Sequence, residues 1–138
     1  MYDSILVTLD TTPTDRAIID HIKPLAKLMH SSVTLLHVAT SVPAQIHGPE
    51  AAGQEIRDDT AYLATAKKEF ESAGIPVQTH LAYGDPVKEI VKWVKANDCQ
   101  LVAMSTHGHH LVADLVLGAT ASRVQHEISV PVLLLRAK

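Results

Sequence analysis

The sequence predicts an α/β fold, a doubly wound five-stranded parallel sheet with helices on both faces. Strand-like and helix-like segments alternate along the whole chain, which is typical of parallel strands joined by right-handed crossovers. The strand-like segments are continuous apolar runs rich in β-branched residues, and such runs suit strands that are buried on both faces. At 138 residues the chain has room for one core, so we expect a single domain over residues 1–138.

The first two strands are predicted at residues 4–10 and 32–39, with a helix between them. Thr12 and Pro13 are typical of a helix start, where a hydroxyl residue caps the end and proline occupies the first turn. Pro24 lies inside this helix and is expected to kink it. Helical spacing places four apolar residues on one stripe that we expect to face the core: Ile18, Ile22, Leu25 and Met29.

Residues 40–55 are predicted to form a long, mobile loop, because they include four residues that disfavour regular structure: Pro43, Gly48, Pro49 and Gly53. A helix over residues 56–73 is predicted next, and Gly74 closes it. The inward residues of this helix are expected to be Leu63, Ala66 and Phe70.

The second half continues the alternation, with strands predicted at residues 76–82, 99–105 and 130–135. Asp85 and Pro86 open a helix whose inward residues are Val87, Ile90, Val91 and Val94. A loop is predicted over residues 106–117, and a short helix follows from Gly118 to about residue 126. We interpret Trp93 and Cys99 as packing residues of the core rather than as ligand-stacking or redox groups.

Charge and composition exclude several classes of function. Twelve Lys and Arg residues against fifteen Asp and Glu give a formal charge of −3, and the basic residues form no stripe, so we expect no nucleic-acid partner. The single cysteine excludes an internal disulfide and a multi-cysteine metal site. No apolar run approaches the roughly 20 residues that span a bilayer, and the N-terminus resembles no export signal. We therefore expect a cytoplasmic protein with no membrane partner.

In a doubly wound sheet a ligand binds at the carboxyl ends of the strands, where the strand order reverses. The segments at the ends of the first, second and fourth predicted strands, residues 10–12, 38–40 and 105–110, carry most of the suggestive polar residues of the chain. Gly108 and Gly118 belong to this region, and Gly118 precedes a helix, so backbone N–H groups there suit an anion such as phosphate. The same glycines would equally serve as simple turns, and neither a P-loop lysine nor a dinucleotide fingerprint is present.

Four segments of the chain carry a family resemblance: ILVTLD with its Thr-Pro helix start, LLHVA, GDPVKEIVKWVKANDCQLVAMSTHG and ISVPVLLLR. In their order and spacing they resemble the universal stress protein family over nearly the whole chain. The resemblance implies a five-stranded parallel sheet of order 3-2-1-4-5.

The resemblance also implies a nucleotide site, because nucleotide-binding members of the family carry G-x2-G-x9-G-[ST] after the fourth strand. This chain keeps Gly108 and Gly118, but Ser105 replaces the first glycine and Ala119 replaces the phosphate-binding hydroxyl residue. Losing such a hydrogen bond weakens binding roughly three- to tenfold. Thr120, the next residue, would partly substitute, although a one-residue shift on a helix rotates its side chain by about 100°. The residues implied to bind ATP or AMP, with or without Mg²⁺, are Asp10, Thr11, Val38, Ser105, His107, Gly108, His109, Gly118, Ala119 and Thr120.

Within that site the resemblance places Asp10 and Val38 near the base and ribose, and the glycines with their neighbours near the phosphates. From the residues alone, Asp10 would equally serve as a cap for the turn that follows it. A catalytic triad of Ser105, His107 and Asp10 is disfavoured, because no G-x-S-x-G elbow is present. We expect no catalytic residue and at most a slow ATPase activity.

The function expected from these features is that of a small stress-response or signalling protein that binds an adenine nucleotide and an unidentified protein partner. The resemblance implies a homodimer formed by antiparallel pairing of the edge strand Val132–Leu135. Two alternatives stay open. One is a nucleotide-free dimeric interaction module of the same fold, which Ser105 and Ala119 favour. The other is a metal-binding protein that uses the histidines His47, His107, His109 and His110.

Overall fold

The computed structural model describes residues 1–39, 49–106 and 120–136. The strands are β1 (Ser4–Thr8), β2 (Ser32–Ala39), β3 (Val77–Tyr83), β4 (Leu101–Thr106) and β5 (Val132–Arg136). The helices are α1 (Asp15–Met29), α2 (Pro49–Ser72), α3 (Pro86–Ala96) and α4, whose described part covers residues 120–127. None of the helices in the described ranges is both long enough and apolar enough to cross a bilayer.

The strands form one parallel sheet in the order β3-β2-β1-β4-β5, which confirms the predicted fold class and strand order. β1 lies at the centre, where Val7 is in register with Leu35 of β2 on one side and with Ala103 of β4 on the other. The order reverses at this strand, because the chain adds β2 and β3 on one side and then β4 and β5 on the other. The carboxyl ends of the three neighbouring strands β1, β2 and β4 therefore lie side by side at one end of the sheet.

Two apolar cores cover the two faces of the sheet. In the first core, Ile18 of α1 and Phe70 of α2 pack with Val7 of β1. In the second core, Ile90 of α3 and Val124 of α4 pack with neighbouring residues of β1, β2 and β4. Successive strand residues alternate between the two cores, because side chains in a strand point to opposite faces in turn.

The inward residues predicted for the helices are confirmed. The fully or nearly buried ones are Ile18, Ile22, Leu63, Ala66, Phe70, Val87, Ile90, Val91 and Val94. Leu25 and Met29 are half-buried, and Trp93 packs against the second core. Cys99 is buried in that core, and its desolvation raises the pKa of the thiol, so the side chain stays protonated.

The start of α1 corrects the sequence prediction. The helix begins at Asp15, and Thr12 and Pro13 form the preceding turn, whose carbonyl groups accept hydrogen bonds from the first helical residues at 3.0 and 3.1 Å. Thr14 is the N-cap residue, but its side chain makes no capping bond. The carboxylate of Asp15 instead accepts N–H groups of the loop, which is why the chain turns before the helix begins. Pro24 lies inside the helix, as predicted.

The loop predicted over residues 40–55 is wrong in its second part. α2 begins at Pro49, so residues 49–55 are helical, while residues 40–48 lie outside the described ranges. Proline suits a first helical turn, because its missing N–H is not needed there and its fixed φ matches the helix. Gly53 is tolerated inside α2 at a cost of about 1 kcal/mol relative to alanine.

The predicted end of α2 and start of α3 are confirmed. Gly74 follows α2 with a φ of 80°, and its N–H donates to the carbonyl of Glu71 at 2.9 Å. Asp85 caps α3 by accepting the N–H of Lys88 at 2.9 Å, and Pro86 occupies the first turn.

β2 has the predicted bounds, and the bounds of the other four strands differ from the predicted ones by one or two residues. Local hydrogen bonds explain two of these differences. β1 ends at Thr8 because the N–H of Asp10 turns away from the ladder to the carboxylate of Asp15. β5 begins only after Pro131, which has no N–H for the ladder, although its carbonyl accepts the N–H of Val102 at 3.0 Å.

Candidate functional site

A cavity of about 240 Å³ lies at the carboxyl ends of β1, β2 and β4. Its walls are mainly apolar, with Leu36, Val38 and Met104 from the strands and Ile90 from α3. Sites for small organic ligands share this character, since they are concave and mostly apolar with a few convergent polar groups. The full lining is Thr8, Leu9, Asp10, Leu36, His37, Val38, Pro86, Ile90, Met104, Ser105 and Thr120.

Four of the predicted site residues line this cavity together: Asp10, Val38, Ser105 and Thr120. They come from the loop after β1, from β2, from β4 and from α4. Thr11 lines a neighbouring depression, which it shares with Arg16 and Tyr62. The other predicted site residues, His107, Gly108, His109, Gly118 and Ala119, lie outside the described ranges.

A larger groove, of about 520 Å³, lies between α1 and the end of β5. Exposed charged and titratable side chains line it, among them Arg16, His21 and Arg136. This groove does not gather the ends of several strands. The smaller cavity lies where the strand order reverses, which is the place where open α/β sheets bind their ligands.

A buried carboxylate holds the loop between β1 and α1. Asp15 is completely buried, and its two oxygens accept the N–H of Asp10 at 2.9 and 3.1 Å. One of them also accepts the N–H of Thr11 at 2.9 Å. Thr11 has a φ of 62°, a left-handed conformation that is unfavourable for a β-branched residue. The hydrogen bonds that the loop N–H groups donate to Asp15 therefore hold the loop in a backbone conformation that is unfavourable by itself.

Tyr62 of α2 completes the surroundings of this carboxylate. Its hydroxyl donates to Oδ2 of Asp15 at 2.7 Å. Burial and the neighbouring carboxylate of Asp15 raise the pKa of the Tyr62 phenol well above its usual value of 10. The phenol therefore keeps its proton throughout the physiological range and acts as a donor to Asp15.

His37 of β2 holds the same loop from a second direction. Its Nδ1 lies 2.7 Å from the carbonyl oxygen of Leu9, and since a carbonyl only accepts, this nitrogen carries a proton. On the other side of the ring, Nε2 lies 3.5 Å from Oδ2 of Asp59, a residue of α2 that is 7% exposed. The imidazole thus lies between the loop after β1, to which it hydrogen-bonds, and α2, where the Asp59 carboxylate is within ion-pair distance.

The sequence analysis missed four residues behind this loop: Asp15, His37, Asp59 and Tyr62. Asp15 carried a usable signal, because an acidic residue in a first helical turn is well placed to accept backbone N–H groups. Asp59 and Tyr62 carried none. Each lies more than forty positions after the loop and reaches it only because α2 packs on the same face of the sheet.

Among the residues that the structure describes, no group of three His, Cys, Asp or Glu side chains is arranged to hold a metal ion. Three of the histidines considered as ligands, His107, His109 and His110, lie outside those residues, as does His47.

The comparison with protein families places the chain in one of them. The model of the universal stress protein family matches residues 1–136. The chain belongs to the universal stress protein family.

Curated universal stress proteins match along most of the chain. Universal stress protein YxiE of Bacillus subtilis is 25% identical over 148 aligned residues, which cover 99% of this chain and 100% of that protein. Universal stress protein MJ0577 of Methanocaldococcus jannaschii is 26% identical, and the alignment covers 100% of this chain and 97% of that protein. A third, Slr1230 of Synechocystis, is 37% identical over 76 residues that span 55% of this chain and 26% of the longer relative.

Solved structures of universal stress proteins superimpose on this one over nearly its whole length. The structure of MJ0577 has a TM-score of 0.87 and covers 100% of this chain, with 98% of its own chain matched. A universal stress protein in complex with cAMP has a TM-score of 0.73 at 19% identity, with 99% of this chain and 98% of that chain covered. The Archaeoglobus fulgidus protein in complex with dAMP has a TM-score of 0.70 at 17% identity, with coverages of 96% and 97%.

Proposed function

We propose that this universal stress protein binds an adenine nucleotide, ATP or AMP, in the cavity at the carboxyl ends of β1, β2 and β4. The observation that carries the proposal is the convergence of Asp10, Val38, Ser105 and Thr120 on one mainly apolar cavity where the strand order reverses. Two proteins of the same fold were solved with cAMP and with dAMP, and both of these ligands contain adenine.

The size of the cavity suggests how such a ligand would lie. Its volume of about 240 Å³ is below the roughly 300–1,000 Å³ of pockets that enclose a whole drug-sized molecule. We expect the base and ribose to fill it, with Val38 against the ring and Asp10 as a hydrogen-bond acceptor. The phosphates, with Mg²⁺ in the case of ATP, would then extend toward residues 107–119 and the start of α4.

Two residues of the family's glycine motif are replaced in this chain, and both replacements bear on affinity. Ala119 offers a backbone N–H to a phosphate but no hydroxyl, which lowers affinity roughly three- to tenfold. Ser105 is 8% exposed and lines the cavity. Its added Cβ and hydroxyl would either obstruct the ligand or donate a hydrogen bond to it, and the proposal requires the second, with the site weakened rather than lost.

The cellular role proposed here is cytoplasmic stress response or signalling as a homodimer. β5 lies at one edge of the described sheet, and Leu134 on this strand is 44% exposed. An edge strand has N–H and C=O groups available for pairing with a second chain. Pairing of Val132–Leu135 with its own copy would give a twofold dimer.

The first experiment identifies any nucleotide that the protein retains. Protein purified without added nucleotide is denatured, the chain is removed, and the supernatant is chromatographed for adenine nucleotides. We expect ATP or AMP at near one molecule per chain, or else saturable binding when empty protein is titrated with Mg-ATP and AMP up to millimolar concentration. Absence of both retained and added nucleotide would refute the proposal.

A nucleotide-free dimeric interaction module of the same fold is the second candidate, and the replacements at Ser105 and Ala119 favour it. The titration separates the two candidates, because a module of this kind would stay dimeric and bind no nucleotide. Elemental analysis of the purified protein tests the metal-binding alternative. For catalysis we expect at most a slow release of phosphate from ATP, because the sequence carries no P-loop lysine.

A further inference from the structure

We propose that Tyr62 and Asp59 of α2 are positioning residues that fix the loop carrying Asp10 and thereby set the affinity and base preference of the nucleotide cavity. This inference rests on the proposed function. It concerns residues that do not themselves line the cavity, so their influence has to pass through the loop or through His37, which lines the cavity.

The two side chains belong to one face of α2. They are three positions apart, which places them side by side on a helix surface. Tyr62 donates to Oδ2 of Asp15 at 2.7 Å, and Asp59 lies 3.5 Å from Nε2 of His37. α2 is therefore linked to the loop by two separate sets of contacts, one through Asp15 and one through His37.

Both sets of contacts end on the same peptide group. The carbonyl of Leu9 lies 2.7 Å from Nδ1 of His37, and the N–H of Asp10 donates to both oxygens of Asp15. These two atoms belong to the single peptide bond that joins Leu9 to Asp10. With both of its ends held, rotation of this peptide plane is restrained, and with it the direction in which the Cα–Cβ bond of Asp10 leaves the backbone.

The loop needs this support because of the residue that follows. Thr11 adopts a φ of 62°, which a β-branched residue disfavours, and its N–H is held by Asp15 at 2.9 Å. If Asp15 or His37 loses its partner on α2, its side chain is held less firmly, and the peptide groups on both sides of Asp10 that it binds become less restrained. The carboxylate of Asp10 would then be less confined to its place in the cavity wall.

The position of Asp10 matters for the choice of base. A carboxylate only accepts hydrogen bonds. Adenine presents an amino group at the ring position where guanine presents a carbonyl oxygen. Guanine has N–H donors of its own at other ring positions, so the preference depends on where the carboxylate is held. An Asp10 carboxylate fixed beside the amino group of adenine favours adenine over guanine, and a loosened one discriminates less.

The test compares two variants with two matched controls. Tyr62→Phe removes only the hydroxyl, and Asp59→Asn removes only the charge. Tyr83→Phe changes an exposed tyrosine at the end of β3, and Asp58→Asn changes the exposed neighbour of Asp59. For each protein, AMP and GMP affinities are measured by calorimetry, and the amide resonances of Asp10 and Thr11 are recorded without nucleotide.

We expect Tyr62→Phe and Asp59→Asn to shift the Asp10 and Thr11 resonances and to lower AMP affinity roughly three- to tenfold. GMP affinity should change less, so that the ratio of AMP to GMP affinity falls, while both controls match the wild type. Equal losses for AMP and GMP with unshifted loop resonances would reduce the two residues to a purely structural role and overturn the inference. Unchanged AMP affinity would overturn it as well.

Failure of the proposed function has a different signature. In that case the wild-type protein itself would bind neither AMP nor GMP. The resonances of the unliganded proteins would still decide whether Tyr62 and Asp59 set the conformation of the loop, since that measurement needs no ligand.

Discussion

Adding a hydroxyl group at Ala119 would test most directly whether the nucleotide phosphates bind at this position. The family motif has serine or threonine at this position, and this chain has no hydroxyl there. We expect Ala119→Ser to raise the affinity for ATP or AMP roughly three- to tenfold, the value of one neutral hydrogen bond. Isothermal titration of the two proteins at one salt concentration measures the change.

The matched control for this substitution is Ser122→Ala, three positions later on the exposed side of α4. It removes a hydroxyl from the described part of α4 without touching the expected phosphate position, so affinity should stay within twofold of the wild type, which is roughly 0.4 kcal/mol. An Ala119→Ser variant with wild-type affinity would show that the phosphates do not contact the side chain at position 119.

At the scale of residues, the sequence predicted residues that line the cavity better than the residues of α2 that hold the loop carrying Asp10. Asp10 and Val38 follow from a general rule, because ligands lie at the strand ends of such sheets. Asp59 and Tyr62 do not, because their role depends on how α2 packs across the sheet, and no local pattern records a contact between positions so far apart. His37 was hidden for a related reason, since its side chain points toward Asp59 on α2.

Gly53 lies inside α2 and Gly74 follows its end, and replacing them with alanine should change the free energy of unfolding in opposite directions. A Cβ on Gly53 would lie 3.5 Å from the Nη1 atom of Arg57, an ordinary contact with the end of a flexible side chain. Gly53→Ala should therefore raise the free energy of unfolding by about 0.5–1 kcal/mol. Gly74 has a φ of 80°, so Gly74→Ala should lower it by about 1 kcal/mol. Urea denaturation measures both, and equal signs would contradict this account of α2.

A charged pair joins α1 to α2 and makes the stability of the fold depend on pH. Arg16 donates from two guanidinium nitrogens to the two carboxylate oxygens of Glu69, both at 2.9 Å. These bonds lower the pKa of Glu69 below its ordinary value of 4.5. Because the pKa is lower in the folded state, the pair stabilises the fold above about pH 4.5, and that contribution is lost as the pH falls through the folded pKa.

Glu69→Gln tests this linkage. The side chains of Arg16 and Glu69 are 50% and 36% exposed, so solvent screening limits the loss at pH 7 to about 1 kcal/mol or less. The difference between wild type and variant should shrink as the pH is lowered from 5 toward 3, as measured by urea denaturation at each pH. Glu71→Gln, an exposed neighbour on α2, serves as the control. A difference that stays constant with pH would show that the substitution acts through packing.

At the scale of elements, the sequence predicted which strands and helices are present better than it predicted where they begin and end. Every predicted strand and helix with described residues is present, because apolar periodicity follows directly from burial on a sheet face. The start of α2 was missed since Pro49 and Gly53 were treated as loop residues. Proline at a first helical turn is favourable, and one glycine inside a helix is affordable when tertiary packing supplies most of the stability.

For the whole molecule, alternation of strands and helices was enough to predict a parallel sheet covered on both faces. It was not enough to predict which strand lies at the centre. All parallel strands buried on two faces have similar apolar sequences, so their order depends on where each crossover returns. The order 3-2-1-4-5 came from the family resemblance, and the pairings of β1 with both β2 and β4 confirm it.

The dimer prediction also belongs to the whole molecule, because it concerns the edge that the fold leaves open. We expect the wild-type protein to have twice the mass of one chain in light scattering at micromolar concentration, and Leu134→Lys to have the mass of one. A lysine on an edge strand opposes pairing, and in a twofold interface one substitution places a charge in both chains. Leu28→Lys changes a leucine of α1 that is 74% exposed, compared with 44% for Leu134, and should leave the dimer intact. If Leu134→Lys remained dimeric, the two chains would have to meet through another surface. A monomeric wild type would instead mean that β5 does not pair with a second copy, and a nucleotide bound in the cavity could then influence a protein partner only through changes within a single chain.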